Sequence, residues 1–582
     1  MDFMPTIAEI LENRSVLGEH SVIAVRLPGS PNATNSDGPL EIMGGKNGER
    51  NAFSEIAYFH RANSFGSRAV WMVPILLLGV AAATGQTYNT PLQHVILVIQ
   101  ENRSLDNLFG SSPHFLPGVD IATQGINSKG KIIPLSAVGL VDCYGLGHVH
   151  RDWEAMYHNG KMDGADKVRV KNVRCKKLPE NPQFKYVDNN PIPGLPNPYR
   201  PLEPYFQIAE NWGFANYMFH TNQGPSFASH QFLFSGTSAP HNYGEKYYKY
   251  FASEINGAAP GCLAPLNDTT VLIGPDGKED TWVYPCFDHG TLATLLDGAG
   301  VSWKYYANAA QGIWTAPINS PEICQPNKER TQCTGPYWKK SMVIRGVNGA
   351  SAGQILSDIS TDCSLANVSW VIPDGAWSDH APEDKGWGPA WVANIVDAVG
   401  TSSCTNPDGS SYWDTTAVII TWDEWGGWYD HVAPPGIGFY GGGGNGQQYV
   451  YGFRVPMLVA SAYSPRPGYV SGPVSTPLVC PNYYCHDFGS LLNFIEYVFG
   501  SNGKSLGTIG NPKWPYADYF ALDAAPSCPT CTYSLADFFN FQQSPTQFVS
   551  IPAPLPASFF IHYKGKYRQP DDDDDDGDPA SQ

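Results

Sequence analysis

The sequence predicts an α/β protein whose central sheet is covered by helices, and three observations carry that reading. Two apolar runs, residues 94–99 (HVILVI) and 417–420 (AVII), lack the polar alternation of a half-exposed strand, so each reads as a strand buried on both faces. Other strand-like runs neighbour helical ones: the amphipathic segment opened by Thr291 leads into a strand at 301–306, and the strand 369–373 (SWVIP) leads into the helical run GPAWVANIVDAVG. The composition, 42% apolar and 13% aromatic but only 15% charged, with 59 Gly and 49 Pro among 582 residues, supports a large core and many loops rather than a helical bundle.

The net charge is -18, of which Asp571 to Asp576 and Asp578 supply seven, and the acidic excess that remains argues against a nucleic-acid partner. Twelve cysteines, none before Cys143, fit an oxidising compartment. Near neighbours suggest the pairs Cys143 with Cys175, Cys262 with Cys286, Cys324 with Cys333, Cys363 with Cys404 and Cys480 with Cys485, although sequence does not fix connectivity. Cys528-Pro-Thr-Cys531 reads as a local disulfide in a loop in preference to a redox or zinc half-motif. Residues 69–86 form an uncharged apolar stretch of signal-peptide length, with small residues Ala81 to Ala83 suited to cleavage; Pro74 interrupts it, and it is short for a membrane span of about 20 residues. Residues 1–68 are expected to be an extension that is untranslated or disordered, and residues 567–582 an acidic disordered tail.

The chemistry is expected where the two buried strands end. In open α/β sheets, ligands gather beyond the carboxyl ends of strands. The run 94–99 leads into Glu101-Asn102, and the run 417–420 leads into Asp423-Glu424. Adjacent carboxylates repel unless a cation or a shared proton compensates, and a hard divalent metal is the simplest compensation. Adjacent strand residues point to opposite faces, so both pairs are expected in turns, helped by Gly426 and Gly427. Ser226 follows Gly224-Pro225 at a helix start, where a serine serves either as a cap or as a nucleophile beside free N–H groups and the positive end of the helix dipole. His148 and His150 lie in a Gly-rich loop, and His380 lies in a loop between strand and helix. His289 reads as structural, residues 176–204 as a long surface loop, RVPMLVASAY as an edge strand, and residues 532–570 as a partial helix with an extended tail. Trp422, Trp425, Trp428 and Tyr429 are either core or an apolar approach for lipid chains.

The successive motifs ENRSLDNLFG, GKMDG, TNQGPSFASHQFLFSG, SDHAP with GPAWV, TWDEWGGWYDHV and CHDFGSLLNFIE resemble those of the phosphoesterase family, which includes bacterial and plant non-specific phospholipases C and related acid phosphatases. The resemblance runs from about residue 90 to 545, inside a catalytic domain expected over 87–566. It implies the alkaline-phosphatase-like three-layer fold, with a mixed, mostly parallel sheet between helices. It also implies a divalent metal of unspecified identity at Glu101, Asn102, Asp423 and Glu424, with Ser226 as nucleophile and His230 as its phosphate-side neighbour. His148 matches the upstream active-site histidine, ahead of His150, and His380 matches the later one. One metal is expected; the alternative is a second ion held by His380, His431 or Asp430. The chain departs from the family pattern at Leu105 and Asn107, where ENRSFDH is common, and at Asp487-Phe488, where DH is common. The function implied is a secreted phospholipase C acting on phospholipid diesters through a phosphoseryl intermediate, in transient contact with a membrane surface. The alternatives are an acid phosphatase acting on small phosphomonoesters and an inactive surface-binding protein.

Overall fold

The two unalternating runs become neighbours at the centre of the sheet. The computed structural model describes residues 88–565 apart from 192–199, 242–245, 248, 257–259, 348, 383–384, 438–448, 473–483 and 511–515. The expectations for residues 1–86, for Cys480, for the glycine run 441–444 and for the acidic tail lie outside the described residues. The eight strands are β1 (His94–Gln100), β2 (Gly213–Ala215), β3 (Trp303–Ala307), β4 (Met342–Ile344), β5 (Val368–Val371), β6 (Thr416–Trp422), β7 (Met457–Ser461) and β8 (Tyr469–Ser471). Their order across the sheet is β4-β3-β5-β1-β6-β7-β2-β8. Only β7 runs against its neighbours; every other adjacent pair is parallel. Every residue of β1 and β6 is buried, as expected of strands covered on both faces.

The helices that matter to the site are α1 (Leu105–Phe109), α2 (His150–Tyr157), α3 (Glu203–Asn211), α4 (Ser226–Ser235), α5 (Gly388–Thr401) and α6 (Phe488–Val498). Side-chain alternation shows that they cover both faces. Leu97 of β1 is in register with Trp370 and Ile419, and the Trp370 indole donates to the Leu233 carbonyl of α4 at 3.0 Å. Trp422, three residues beyond Ile419, points the other way and packs edge-on against Tyr205 of α3, with ring centroids 5.1 Å apart. Helix, sheet and helix therefore form three layers. Among the described residues, no helix is long and apolar enough to cross a membrane.

Three local expectations are corrected. RVPMLVASAY is not an edge: β7 lies between β6 and β2, and the edges are β4 and β8. Pro456 stands just before the strand, so its missing N–H costs the ladder nothing. The stretch 176–204 is not all surface loop, because Lys185–Val187 pairs in parallel with Ser136–Val138 and buries Phe184 and Val187. The aromatics after β6 are core and not an open approach: Trp422, Trp425, Trp428 and Tyr429 are all buried. The last three help form a second apolar cluster with Leu146, Trp153 and Phe184, distinct from the main core around the sheet. Disulfides join Cys143–Cys175, Cys262–Cys286, Cys324–Cys333, Cys363–Cys404 and Cys528–Cys531. The C-terminal stretch carries a short 3-10 turn at Ala536–Phe538 and one helix at Ala557–Ile561.

Candidate active site

Register brings the two acidic strand ends together. Gln100 of β1 pairs with Trp422 of β6, and the Asp423 N–H extends the ladder by donating to the Gln100 carbonyl at 2.9 Å. Glu101-Asn102 and Asp423-Glu424 therefore leave the sheet side by side. The Asn102 N–H donates to Asp423 Oδ1 at 3.0 Å, and the Gly426 N–H turns back onto Glu424 Oε2 at 2.8 Å. The turn needs its glycines: Gly426 and Gly427 have φ of 65° and 76°, and a Cβ on Gly426 would stand 2.2 Å from the Asn102 carbonyl oxygen. Asn102 itself is left-handed, with φ of 58°, a conformation that asparagine tolerates better than most residues. Behind the turn, the Arg103 guanidinium donates to the Asp379 carbonyl at 2.8 Å and covers the Trp428 ring. Asn107, at one of the departures from the family pattern, receives Arg103 and donates to the Lys185 carbonyl at 2.9 Å.

Helix α4 aims two residues at these turns. Pro225 is extended and precedes the helix, so Ser226 occupies the first helical position and is not the cap. Its Oγ lies 3.5 Å from Asn102 Oδ1, and the hydroxyl also faces Asp423. One turn on, His230 lies on the same face of the helix. Its Nε2 is 3.1 Å from Glu101 Oε1 and 3.8 Å from Asp423 Oδ2. Glu101, His230 and Asp423 each offer a donor atom, and these atoms lie within 4.8 Å of one another. Glu101 Oε2, Asp423 Oδ2 and His230 Nδ1 are buried and have no hydrogen-bond partner. Burial, and next the Asp423 charge, raises the Glu101 carboxyl well above its ordinary range; burial also raises Asp423. Burial pushes His230 down to about 3, which leaves it a neutral imidazole with a free lone pair. Orphaned carboxylate oxygens beside a neutral imidazole are a donor set suited to a divalent cation. Of the expected ligands, Glu101 and Asp423 belong to this group; the helical turn from Ser226 carries His230 onto Glu101, and Asn102 contacts Ser226 and His148.

The remaining predicted residues fall on the other side of Asn102. His148 Nδ1 lies 2.8 Å from the Leu146 carbonyl, which assigns the proton to Nδ1. His148 Nε2 then accepts from Asn102 Nδ2 at 3.3 Å, and it lies 3.8 Å from Glu424 Oε1. The His380 ring is 5.7 Å from the His148 ring. Its neighbour Asp379 is fixed by Tyr205 and Trp422, which donate to Oδ2 at 2.8 and 3.1 Å, and burial raises that carboxyl to about 6. Trp314, which no motif signalled, lies 6.5 Å from the rings of both His230 and His380, and its buried indole N–H bonds to no protein group. His150 instead faces the Gln223 and Gly277 carbonyls, at 3.1 and 3.3 Å. His289 is buried against the Gly290 carbonyl and is pushed down to about 4 by burial.

Two other clusters do other work. Asp430 and His431 do not meet His380. The Arg454 guanidinium lies between Asp430 (2.9 Å) and Asp106 (3.1 Å), and His431 bridges Asp106 and Asp120 at 2.8 and 3.1 Å. Asp106, Asp430 and His431 also offer donor atoms within 4.8 Å of one another, as a second ion would require, although the Arg454 guanidinium already supplies positive charge between the two carboxylates. Ser471, His486 and Asp523 line up as a hydrolytic triad would, at 2.9 and 2.7 Å. All three are closed to solvent, and Asp537 also takes a hydrogen bond from Ser471, so the cluster ties β8 to the C-terminal segment. Asp487, the other departure, caps α6 by accepting from the Ser490 N–H at 2.6 Å.

Residues 92–502 match the model of the Phosphoesterase family. The chain is similar to phospholipase C A of Mycobacterium tuberculosis, 25% identical over 521 residues that cover 79% of this chain and 86% of that protein. It is also similar to the non-hemolytic phospholipase C of Pseudomonas aeruginosa, 23% identical over 447 residues that cover 70% of this chain and 54% of that one. A solved structure from Vibrio parahaemolyticus, described as a protein in the alkaline phosphatase superfamily, aligns with 52% of this chain and 63% of its own at 12% identity and a TM-score of 0.26.

Proposed function

Because the chain belongs to the Phosphoesterase family and is a phosphoric ester hydrolase, we propose that it is a phospholipase C that uses Ser226 as its nucleophile on phospholipid diesters. The observation that carries this reading is the meeting of Ser226 with Asn102 and Asp423 at the start of α4, beside the orphaned oxygens of Glu101 and Asp423. Glu101, His230 and Asp423 would hold a divalent cation, with Asn102 and Glu424 alongside. A bound cation would supply charge neutralisation at the serine oxygen and at a phosphate oxygen. The first N–H groups of α4 face the same place and favour the developing negative charge. The Asn102 amide, held by His148, orients a second phosphate oxygen. Ser226 Oγ gives its proton to the Asp423 carboxylate it faces and forms the new bond to phosphorus as the bond to the diacylglycerol oxygen breaks, and His380 gives that oxygen its proton. Water then releases the head-group phosphate and restores the serine. Export belongs to the same reading: the five disulfides among the described residues suit an oxidising compartment, and the uncharged stretch 69–86 suits a signal peptide.

The test is diacylglycerol release from phosphatidylcholine in mixed micelles by the wild type and by Ser226→Ala, with p-nitrophenyl phosphate as the monoester control. We expect diester turnover by the wild type and a loss of at least ~10³-fold in kcat for the variant. Turnover of the monoester alone would make the protein an acid phosphatase, and full activity in Ser226→Ala would remove the nucleophile.

A further inference from the structure

We propose that the outer face of the hairpin formed by Gln124–Ile126 and Ile132–Pro134, together with the loops joined by the Cys143–Cys175 disulfide, docks the enzyme on an anionic phospholipid bilayer. A lipid substrate has to be drawn from an assembly, and the aromatics after β6 that might have met it are sealed in the core. The hairpin offers the opposite situation. Its inner face is filled: Ile133 is buried, and a Cβ on Gly125 would stand 2.5 Å from the Tyr429 ring. By strand alternation its outer face carries Ile126 opposite Ile132 and Gln124 opposite Pro134. Ile126 and Ile132 are 49% and 56% exposed, an aliphatic pair about half open to solvent.

The tip of the hairpin is basic and ordered. Asn127 Oδ1 accepts from the N–H groups of Lys129 and Lys131 at 3.1 and 2.9 Å, and Ser128 is tied to Asp166 through its N–H and its hydroxyl, both at 2.7 Å. Both lysines are exposed. A second aliphatic pair lies on the same lobe: Val141 and Val173, 53% and 48% exposed, are brought together by the disulfide and by the Arg174 N–H donating to the Cys143 carbonyl at 2.7 Å. Exposed Arg174, Lys176 and Lys177 follow Val173 in the chain, and half-buried Asp142 follows Val141. Val141 also lies against Gly386, in the loop that follows His380, so the patch borders the site. In a chain of net charge -18, this pairing of aliphatic side chains with lysine and arginine is the reverse of the average surface. It fits an interface where alkyl groups enter the head-group layer and cations meet lipid phosphates. The proposal rests on the phospholipase reading for its purpose, but not for its measurement.

The measurement is co-sedimentation of the full chain with vesicles of phosphatidylcholine alone and of phosphatidylcholine with 30% phosphatidylglycerol, at low and at high salt. We expect the wild type to prefer the anionic vesicles and to lose that preference in high salt. Lys129→Glu with Lys131→Glu should cut anionic binding by about 10-fold or more. Ile126→Ser with Ile132→Ser should cut binding to both vesicle types by a similar factor, with circular dichroism melts showing that the variant is folded at the assay temperature. Each variant should hydrolyse a monomeric short-chain phosphodiester at the wild-type rate while losing activity on vesicles. Wild-type binding by either variant, or no binding by the wild type, overturns the proposal. So does a wild-type dimer in gel filtration that the isoleucine variant splits, which would make a second copy the occupant. If the wild type binds vesicles as expected but does not turn over the soluble diester, the phospholipase reading fails and the docking surface stands.

Discussion

The turn at Gly426 gives the sharpest test of how the site is assembled. Gly426→Ala adds one methyl group, 2.2 Å from the Asn102 carbonyl oxygen and 2.8 Å from its carbonyl carbon. Both atoms are backbone, so no side chain can swing aside. The residue would also have to keep a φ of 65°, at a cost of about 1–2 kcal/mol for an L-residue. Restoring normal contact needs the two strand ends to separate by about 1 Å, and a displacement of that size typically costs on the order of 10²-fold in rate. That loss corresponds to about 2.7 kcal/mol of transition-state stabilisation. Because Asn102 moves with its partners Ser226 and His148, the fall should appear mainly in kcat. The assay is steady-state hydrolysis of a soluble phosphodiester, with circular dichroism melts to show that the variant is folded at the assay temperature. A folded variant with wild-type kcat would refute the claim that this turn sets the spacing between Ser226 and the paired carboxylates.

Three further outcomes are expected. Removing metal with a chelator should abolish activity, and metal analysis should find a divalent ion in the wild type that is depleted in Glu101→Gln; a metal-free enzyme that turns over would refute the site. The His431 imidazole is pushed down by burial but is held up to about 10 by Asp106 and Asp120. Its raised folded-state value means that the stability it contributes is fully present below about pH 6.5 and is lost as pH rises through about 10, so thermal melts between those values should fall in the wild type and flatten in His431→Asn. Glu496 and Asp518 form a buried acid pair in which burial, and then mutual charge, raises Glu496 well above its usual range, while burial raises Asp518 to about 6. Stability from this pair falls as pH rises from about 4 through 6, and Glu496→Gln should raise the melting temperature at pH 8, a gain that vanishes at pH 4.

The parts of this site that could be read from sequence are those set by local pattern. Unbroken apolar runs ending in Glu101-Asn102 and Asp423-Glu424 located the strand ends, because burial on both faces leaves no alternation to misread. Gly426 and Gly427 marked a turn because few other residues take a positive φ. Near-neighbour cysteines gave pairs because short loops close readily. Contacts made by distant chain were not legible. Trp314 reaches His230 and His380 from a loop with no motif, and Arg454 enters the Asp106 and Asp430 cluster from just before β7. His230 sits between these cases: its spacing of four from Ser226 is a local helical signal, but the carboxylate it meets belongs to another strand. The tryptophans after β6 were ambiguous for the same reason, since burial depends on what packs above them.

The bond from the Asn102 N–H to Asp423 spans 321 residues of sequence. Neither half of the site has meaning without the other, and β1, which also pairs with β5, gains its seven-residue ladder with β6 only once that strand has been synthesised and docked. Folding must therefore close one of the longest loops in the chain before chemistry is available, a slow step for a topology rich in non-local pairing. For a phosphoric ester hydrolase this arrangement means that a chain lacking either strand end lacks the site, and activity arrives only with the completed fold.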